Sequence, residues 1–140
     1  ATRANMKPRT NRILVDTSFW IEHQRGNPRA QPLNELLRAG IKPAGTEPVR
    51  MEVLAGAKNS REYSDVVSIF QSIHWIKIQP QSDFDAAAQM YFQARRTGLT
   101  PGGLLDCLIV AIAQRSKSSL MTLDRNQMAV ARLFDVEIVD

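Results

Sequence analysis

The sequence predicts an α/β fold: a central, mostly parallel sheet of about five short strands with helices on both faces. Three observations carry this. Short apolar runs of strand length alternate with helix-length segments along the chain. Two of those runs, "RILVD" and "SLMTLD", end in an aspartate. The stretch "LLDCLIVAIAQR" is too long for a buried strand and is therefore a buried helix, with one carboxylate, Asp106, near its start. Strands that alternate with helices pair in parallel, because each crossover helix carries the chain back to the edge it left.

Taken in order, "RILVD" is the first strand and closes on Asp16. Residues 17 to about 25 form a helix with Phe19, Trp20 and His23 at helical spacing, broken by Gly26, Asn27 and Pro28. "PLNELLRAG" is a helix with Pro32 early, Leu33, Leu36 and Leu37 on one face, and Gly40 as its stop. "IKPAGT" is a weak edge strand, since Pro43 lacks a ladder donor. Pro48 opens a helix to about Ala57, and Ser60 caps a second one to about Ser72. "IHWIKI" alternates as a strand does, and a helix capped by Ser82 then runs to Gly98. After the loop "LTPGG" come the apolar helix, the strand "SSLMTLD", the helix "RNQMAVARLF" and a last short strand, "VEIVD".

The chain has 140 residues, enough for one domain with a real core, read here as residues 12–140. Residues 1–11, "ATRANMKPRTN", are polar, basic and aperiodic; they read as a disordered arm or expression remnant, with Met6 a candidate natural start. A single cysteine, Cys107, excludes an internal disulfide and suits a reducing cytoplasm. No signal-peptide pattern opens the chain, and no stretch reaches the roughly 18 apolar residues of a membrane span. The net charge of +4 favours an anionic partner, nucleic acid above all, against the alternative of a solvated basic surface.

The carboxylates carry the chemistry. Ligand crevices in open parallel sheets lie outside the carboxyl ends of the strands, so Asp16 and Asp124 share one edge. The helix bearing Asp106 leads directly into the strand that ends at Asp124, so its first turns face the same crevice. Glu52 interrupts "VRMEVLAGA" early in the helix after the second strand, again on that side. Two unit charges about 4 Å apart repel by roughly 4 kcal/mol at an effective dielectric near 20. A divalent cation relieves this, and oxygen donors without thiolate or imidazole select Mg²⁺ or Mn²⁺ over zinc. Each acid also has a structural reading: Asp16 and Asp124 as helix N-caps, Asp106 at the positive end of its helix dipole, Glu52 paired with Arg50 or Lys58.

"ILVDTSFWIEHQRG", "PVRMEVLAGA", "GLTPGGLLDCLIVAIA" and "LMTLD" form an ordered set. Together they resemble the PIN-domain ribonucleases, specifically the VapC-type toxins of bacterial toxin–antitoxin pairs, from about residue 12 to 140. The resemblance implies a PIN-like fold and a Mg²⁺- or Mn²⁺-dependent endoribonuclease leaving 5′-phosphate and 3′-hydroxyl ends. It also implies a homodimer inhibited by a cognate VapB-type antitoxin. By motif position the catalytic and metal-holding acids fall on Asp16, Glu52, Asp106 and Asp124, with Ser18 and Thr122 as supporting hydroxyls. Family members frequently carry a second acid two residues after the "TxD" aspartate, followed by an aromatic. Here those positions are Asn126 and Gln127. Asn126 offers a carbonyl oxygen but no charge, so a second metal is not expected to bind tightly without RNA.

RNA has to be held by cations, and Arg25, Arg95, Arg96 and Arg125 lie near predicted crevice-side ends, with Lys58 and Arg61 after the Glu52 helix. Phe19 and Trp20 read as core, as does Cys107, and His23 and His74 as isolated. A groove lined by Trp20, Phe19 or the leucines of residues 33–37 would suit an antitoxin helix. Two rivals remain at this point. One is a catalytically degenerate PIN-like module that binds RNA or protein. The other is a phosphoryl-transfer or receiver-type α/β domain; receivers want an acidic pair after the first strand and a lysine late in the chain, and here Asp16 is followed by Thr17 and no acid. No GxxxxGK[ST] loop, GxSxG elbow or zinc-ligand spacing is present.

Overall fold

Strands buried on both faces must be apolar at every position, and two short triplets of this chain are largely so. They are β1 (Ile13–Val15) and β4 (Ser119–Met121), paired in parallel with Val15 opposite Met121. The computed structural model describes residues 12–139. With β2 (Ala44–Gly45) and β3 (His74–Trp75) the strands form one parallel sheet in the order β3-β2-β1-β4. Seven α-helices flank it: α1 (Thr17–Gln24), α2 (Gln31–Arg38), α3 (Glu47–Ala55), α4 (Ser60–Ser72), α5 (Pro80–Arg96), α6 (Leu104–Arg115) and α7 (Arg125–Leu133). Helix α6 is the central one. Cys107 to Ala113 are buried without exception, and α5 lies along it through Ala87, Met90 and Ala94.

Four strands stand where about five were expected. "VEIVD" makes one parallel bridge, Ile138 to Leu120, held by Leu120 N–H to Glu137 O at 2.8 Å and Val139 N–H to Leu120 O at 2.9 Å. Asp135 turns through a left-handed conformation (φ 60°) just before it. "IKPAGT" is an interior strand and not an edge one, because Pro43 falls outside the paired residues and only its carbonyl is used, by His74 N–H at 3.0 Å. Gly45 permits that close packing: a Cβ there would lie 2.7 Å from Ile73 Cδ1.

"IHWIKI" pairs only through His74 and Trp75. Ile76 N–H still donates to Gly45 O at 2.8 Å, and beyond it side chains take over: Ile78 N–H donates to Glu47 Oε1 at 2.8 Å and Lys77 O accepts from Arg115 Nη2 at 2.9 Å. Two helix starts differ from the expected ones. Asn59, not Ser60, caps α4 by accepting from Glu62 N–H. Helix α5 starts at Pro80, two residues before Ser82, because proline is preorganised for the first helical position. The arm over residues 1–11, with Met6, lies outside the described residues.

Candidate active site

Register brings the first two acids together. Asp16 N–H donates to Met121 O at 2.9 Å, so the chain leaves β1 beside the chain leaving β4. Asp16 caps α1 and Asp124 caps α7, and this structural role leaves room for a second one because a cap occupies only part of a carboxylate. Asp16 Oδ2 accepts from Ser18 N–H at 3.2 Å, Ser18 Oγ at 2.9 Å and Thr122 Oγ1 at 3.2 Å. Its Oδ1 accepts, among the described residues, from Gln127 Nε2 alone, at 3.3 Å. Asp124 Oδ1 accepts from Asn126 N–H at 2.9 Å and Gln127 N–H at 3.2 Å. Ser18 and Thr122 are further tied to the turn after β4, accepting from Leu123 N–H and Asp124 N–H at 3.0 and 3.1 Å.

The other two acids come from α3 and α6. Glu52 is half-buried, and its Oε1 accepts from Thr17 Oγ1 at 2.6 Å, so it is tied to α1 and not to Arg50 or Lys58. Asp106 is the third residue of α6, and its Oδ2 takes Gly103 N–H at 3.4 Å. Gly102 (φ +76°) makes room for it, since a Cβ there would stand 3.0 Å from Asp106 Oδ2 and 3.8 Å from Asn126 Cβ. Among the described residues, Glu52 Oε2, Asp106 Oδ1 and Asp124 Oδ2 have no hydrogen-bond partner, and Asp16 Oδ1 has one. Each carboxylate therefore keeps one oxygen wholly or largely uncommitted.

The four charges act on one another. Burial pushes the Asp106 carboxyl up to about 6; the Gly103 N–H works against this, and the charges of Asp16, Asp124 and Glu52 add to it. Burial also raises Glu52, opposed by the Thr17 hydrogen bond and reinforced by Asp16. Repulsion of this kind in a half-buried crevice favours positive charge beside the acids.

The donor chemistry fits a hard divalent cation: four carboxylates, with no thiolate or imidazole among them. Among the described residues no three acids already converge at ligand distance, so the fit is one of donor type and charge and not of a closed cage. Cys107 is buried, and its thiol is pushed up to about 11 by burial and by Asp106, which makes it inert at neutral pH. His23 bonds Asn34 at 2.9 Å in the last turn of α1, and His74 sits on β3; neither reaches the acids.

The cations divide. Arg125 follows Asp124 directly and is exposed. Arg95 and Arg96 end α5, one loop before Asp106, and stack over Tyr91 and Phe92 at 5.7 and 5.5 Å. Arg25 is the C-cap of α1, at the opposite end from Asp16 and about 12 Å away along a helix of eight residues, so it does not join the site. Lys58 and Arg61 lie past the far end of α3.

Of the groove expected at Trp20, Phe19 or the leucines of residues 33–37, Trp20, Phe19 and Leu33 are buried in the core, with Trp20 Nε1 donating to Val15 O, while Leu36 is partly buried and Leu37 exposed. The open apolar groove lies elsewhere, a cavity of about 740 Å³ lined by Met51, Leu54, Tyr63, Trp75, Phe84 and others. Sequence reasoning missed Thr17 and Gln127. A signal for Gln127 exists: it shares a helical face with Val130 and Ala131, which puts a polar side chain on the buried side of α7.

The sequence pattern of the family described as PIN domain matches residues 13–133. Ribonuclease VapC11 from Mycobacterium tuberculosis and a VapC ribonuclease from Mycobacterium bovis are each 32% identical over 128 residues, spanning 89% of this chain and 96% of theirs. In three dimensions the chain is similar to one from VapBC2 of Rickettsia felis bound to promoter DNA. The TM-score is 0.69 at 17% identity, over 91% of this chain and 96% of that one. A chain of a Klebsiella pneumoniae toxin–antitoxin complex gives 0.67 at 23% identity, over 84% and 90%. At these identities the two structures establish the fold.

Proposed function

The chain belongs to the PIN domain family, and from that membership we propose that it is a metal-dependent endoribonuclease acting as the toxin of a toxin–antitoxin pair. One observation supports this: acids from four separate elements gather around the carboxyl edge of the sheet, each with one oxygen that the protein leaves wholly or largely uncommitted. Asp16, Asp106 and Asp124 would hold Mg²⁺ or Mn²⁺, with Glu52 as a further ligand or an orienting acid. Such an ion supplies neutralisation of the phosphodiester charge and a water acidified toward neutral pH. Ser18 and Thr122 hold Asp16 in its rotamer, and Thr17 holds Glu52. Asn126, beside Gly102, faces the crevice without adding charge. Arg95, Arg96 and Arg125 would take the RNA backbone, with the exposed Phe92 ring offering a face to a base.

Purified protein incubated with total cellular RNA should give discrete fragments with Mg²⁺ or Mn²⁺ and none with EDTA. Folded, metal-loaded and partner-free protein that leaves both total RNA and a panel of structured RNAs intact would overturn the nuclease reading in favour of a binding module.

The partners in this reading are RNA, a VapB-type antitoxin and a second copy of the chain. Among the described residues no helix is long and apolar enough to cross a membrane, and the reading places the chain's action on cytoplasmic RNA. The apolar groove suits the second copy: Met51 and Phe84 are each 56% exposed there, and Glu47 and Arg50 on its wall supply charges of both signs for self-complementary pairing. Light scattering should give a dimer for the native chain and a monomer with unchanged circular dichroism for Phe84→Glu. A native monomer at tens of micromolar protein would remove the dimer from this reading.

A further inference from the structure

Gln127 is fully buried (0% exposed), a position where a side-chain amide has to be satisfied from within the protein. Both donated hydrogen bonds go to the acidic site: Nε2 reaches Asp16 Oδ1 at 3.3 Å and Asp106 O at 3.2 Å. Its Oε1 has no partner among the described residues, which is a cost that a methionine or leucine of similar volume would not carry. The amide orientation is not arbitrary. Turned over, Oε1 would face a carboxylate and a carbonyl, two acceptors, so the nitrogen must point at Asp16.

We propose that Gln127 is a positioning residue of the metal site: its amide ties the Asp16 carboxylate to the first turn of α6 and so fixes the spacing between Asp16 and Asp106. Oδ2 of Asp16 is already saturated by Ser18 and Thr122, so Oδ1 is the oxygen left for a cation, and the Gln127 bond takes only one of its lone pairs. The same contact joins the start of α7, which carries Asp124, to α6, which carries Asp106. With the Gln127 backbone N–H on Asp124 Oδ1 at 3.2 Å, three acids on three elements are thereby held in one frame by one residue. Outer-shell amides of this kind matter to metal sites because they set ligand orientation before the ion arrives. The inference rests on the acids being a metal site, and its test separates the two ideas.

The test is a Mn²⁺ titration of the native chain and of Gln127→Met, followed by the electron paramagnetic resonance signal of free Mn²⁺, with thermal melts of both metal-free proteins. The expected result is a roughly 10- to 100-fold weaker dissociation constant for the variant, with a metal-free melting temperature within a few degrees of native. Equal affinities would overturn the positioning role while leaving the metal site intact. Failure of the folded native chain to bind Mn²⁺ would overturn the metal reading itself, and the role of Gln127 with it. Should Gln127→Met not fold, Gln127→Asn retains the polarity but draws the amide back by one methylene, and the same weakening is expected. If neither variant folds, Gln127 is a packing residue and the proposal fails.

Discussion

Asp106→Asn is expected to reduce metal-dependent RNA cleavage by on the order of 10³-fold and, in the same protein freed of metal, to raise the melting temperature. The two effects have one cause. Asp106 sits at the head of a wholly buried helical run, and its carboxyl is pushed up to about 6 by burial and then by Asp16, Asp124 and Glu52. Because the folded value lies above the ordinary carboxylate value of 3.8, the native state binds more protons than the unfolded state between the two, and stability falls as pH rises through that window. The penalty is complete above about pH 6 and absent below about pH 4. Solvent reaches this half-buried side chain, which discounts the penalty to about 1 kcal/mol, or about 2–5 °C for a domain of this size. The amide removes it. Metal-free melts should therefore show Asp106→Asn above native at pH 7.5 and level with it at pH 4. Adding Mg²⁺ should reverse the order at pH 7.5, by stabilising only the native protein. A variant that cleaves RNA at the native rate would remove Asp106 from the site.

Asp83→Ala is expected to cost about 2 kcal/mol of stability, a fall of roughly 4–8 °C in melting temperature, without involving the site at all. Asp83 is 1% exposed at the N-terminal end of α5. Its two oxygens meet Arg115 Nε at 2.8 Å and Nη2 at 2.9 Å, and Oδ2 also accepts Gln79 N–H at 2.8 Å. Arg115 ends α6 and reaches on to Lys77 O after β3, so one bidentate pair ties α5, α6 and the sheet edge together. The carboxylate raises the Arg115 guanidinium further above its ordinary value. Removing Asp83 takes the acceptor from the Gln79 N–H and from a guanidinium that solvent still reaches, whereas removing Arg115 leaves a buried carboxylate without its cation. Replacing both, as Asp83→Leu with Arg115→Met, should cost clearly less than the two single changes summed. Strict additivity in urea melts would show that the pair is not coupled.

Both expected results turn on carboxylates that interrupt an apolar pattern, and the amino-acid sequence discloses such interruptions unevenly. The acids at residues 16, 106 and 124 are legible because each breaks an apolar run at the point where a parallel sheet opens its crevice. Glu52 is legible for the same reason on α3. Asp83 obeys the identical logic with a less obvious pattern: it lies four, seven and eleven residues before Ala87, Met90 and Ala94, on the buried stripe of α5. A charge on a core face signals a partner, and nothing local distinguishes an arginine partner from a metal. The strand lengths are less legible. Side chains of Glu47 and Arg115, distant in sequence, claim the backbone groups that would have extended β3.

What the sequence determined by itself was the alternation of strands and helices, the parallel sheet and the four acids at its carboxyl edge, since these follow from periodicity and from connections that are short and local. Only the tertiary structure decided which oxygen of each acid stays uncommitted, that Gln127 joins Asp16 to α6, that Arg25 falls at the wrong end of α1, and that the apolar groove lies over α3 and α5 and not over Trp20. Those outcomes depend on contacts between residues tens of positions apart. Such contacts are set by how whole helices pack, and a pattern of neighbours in one chain does not contain them.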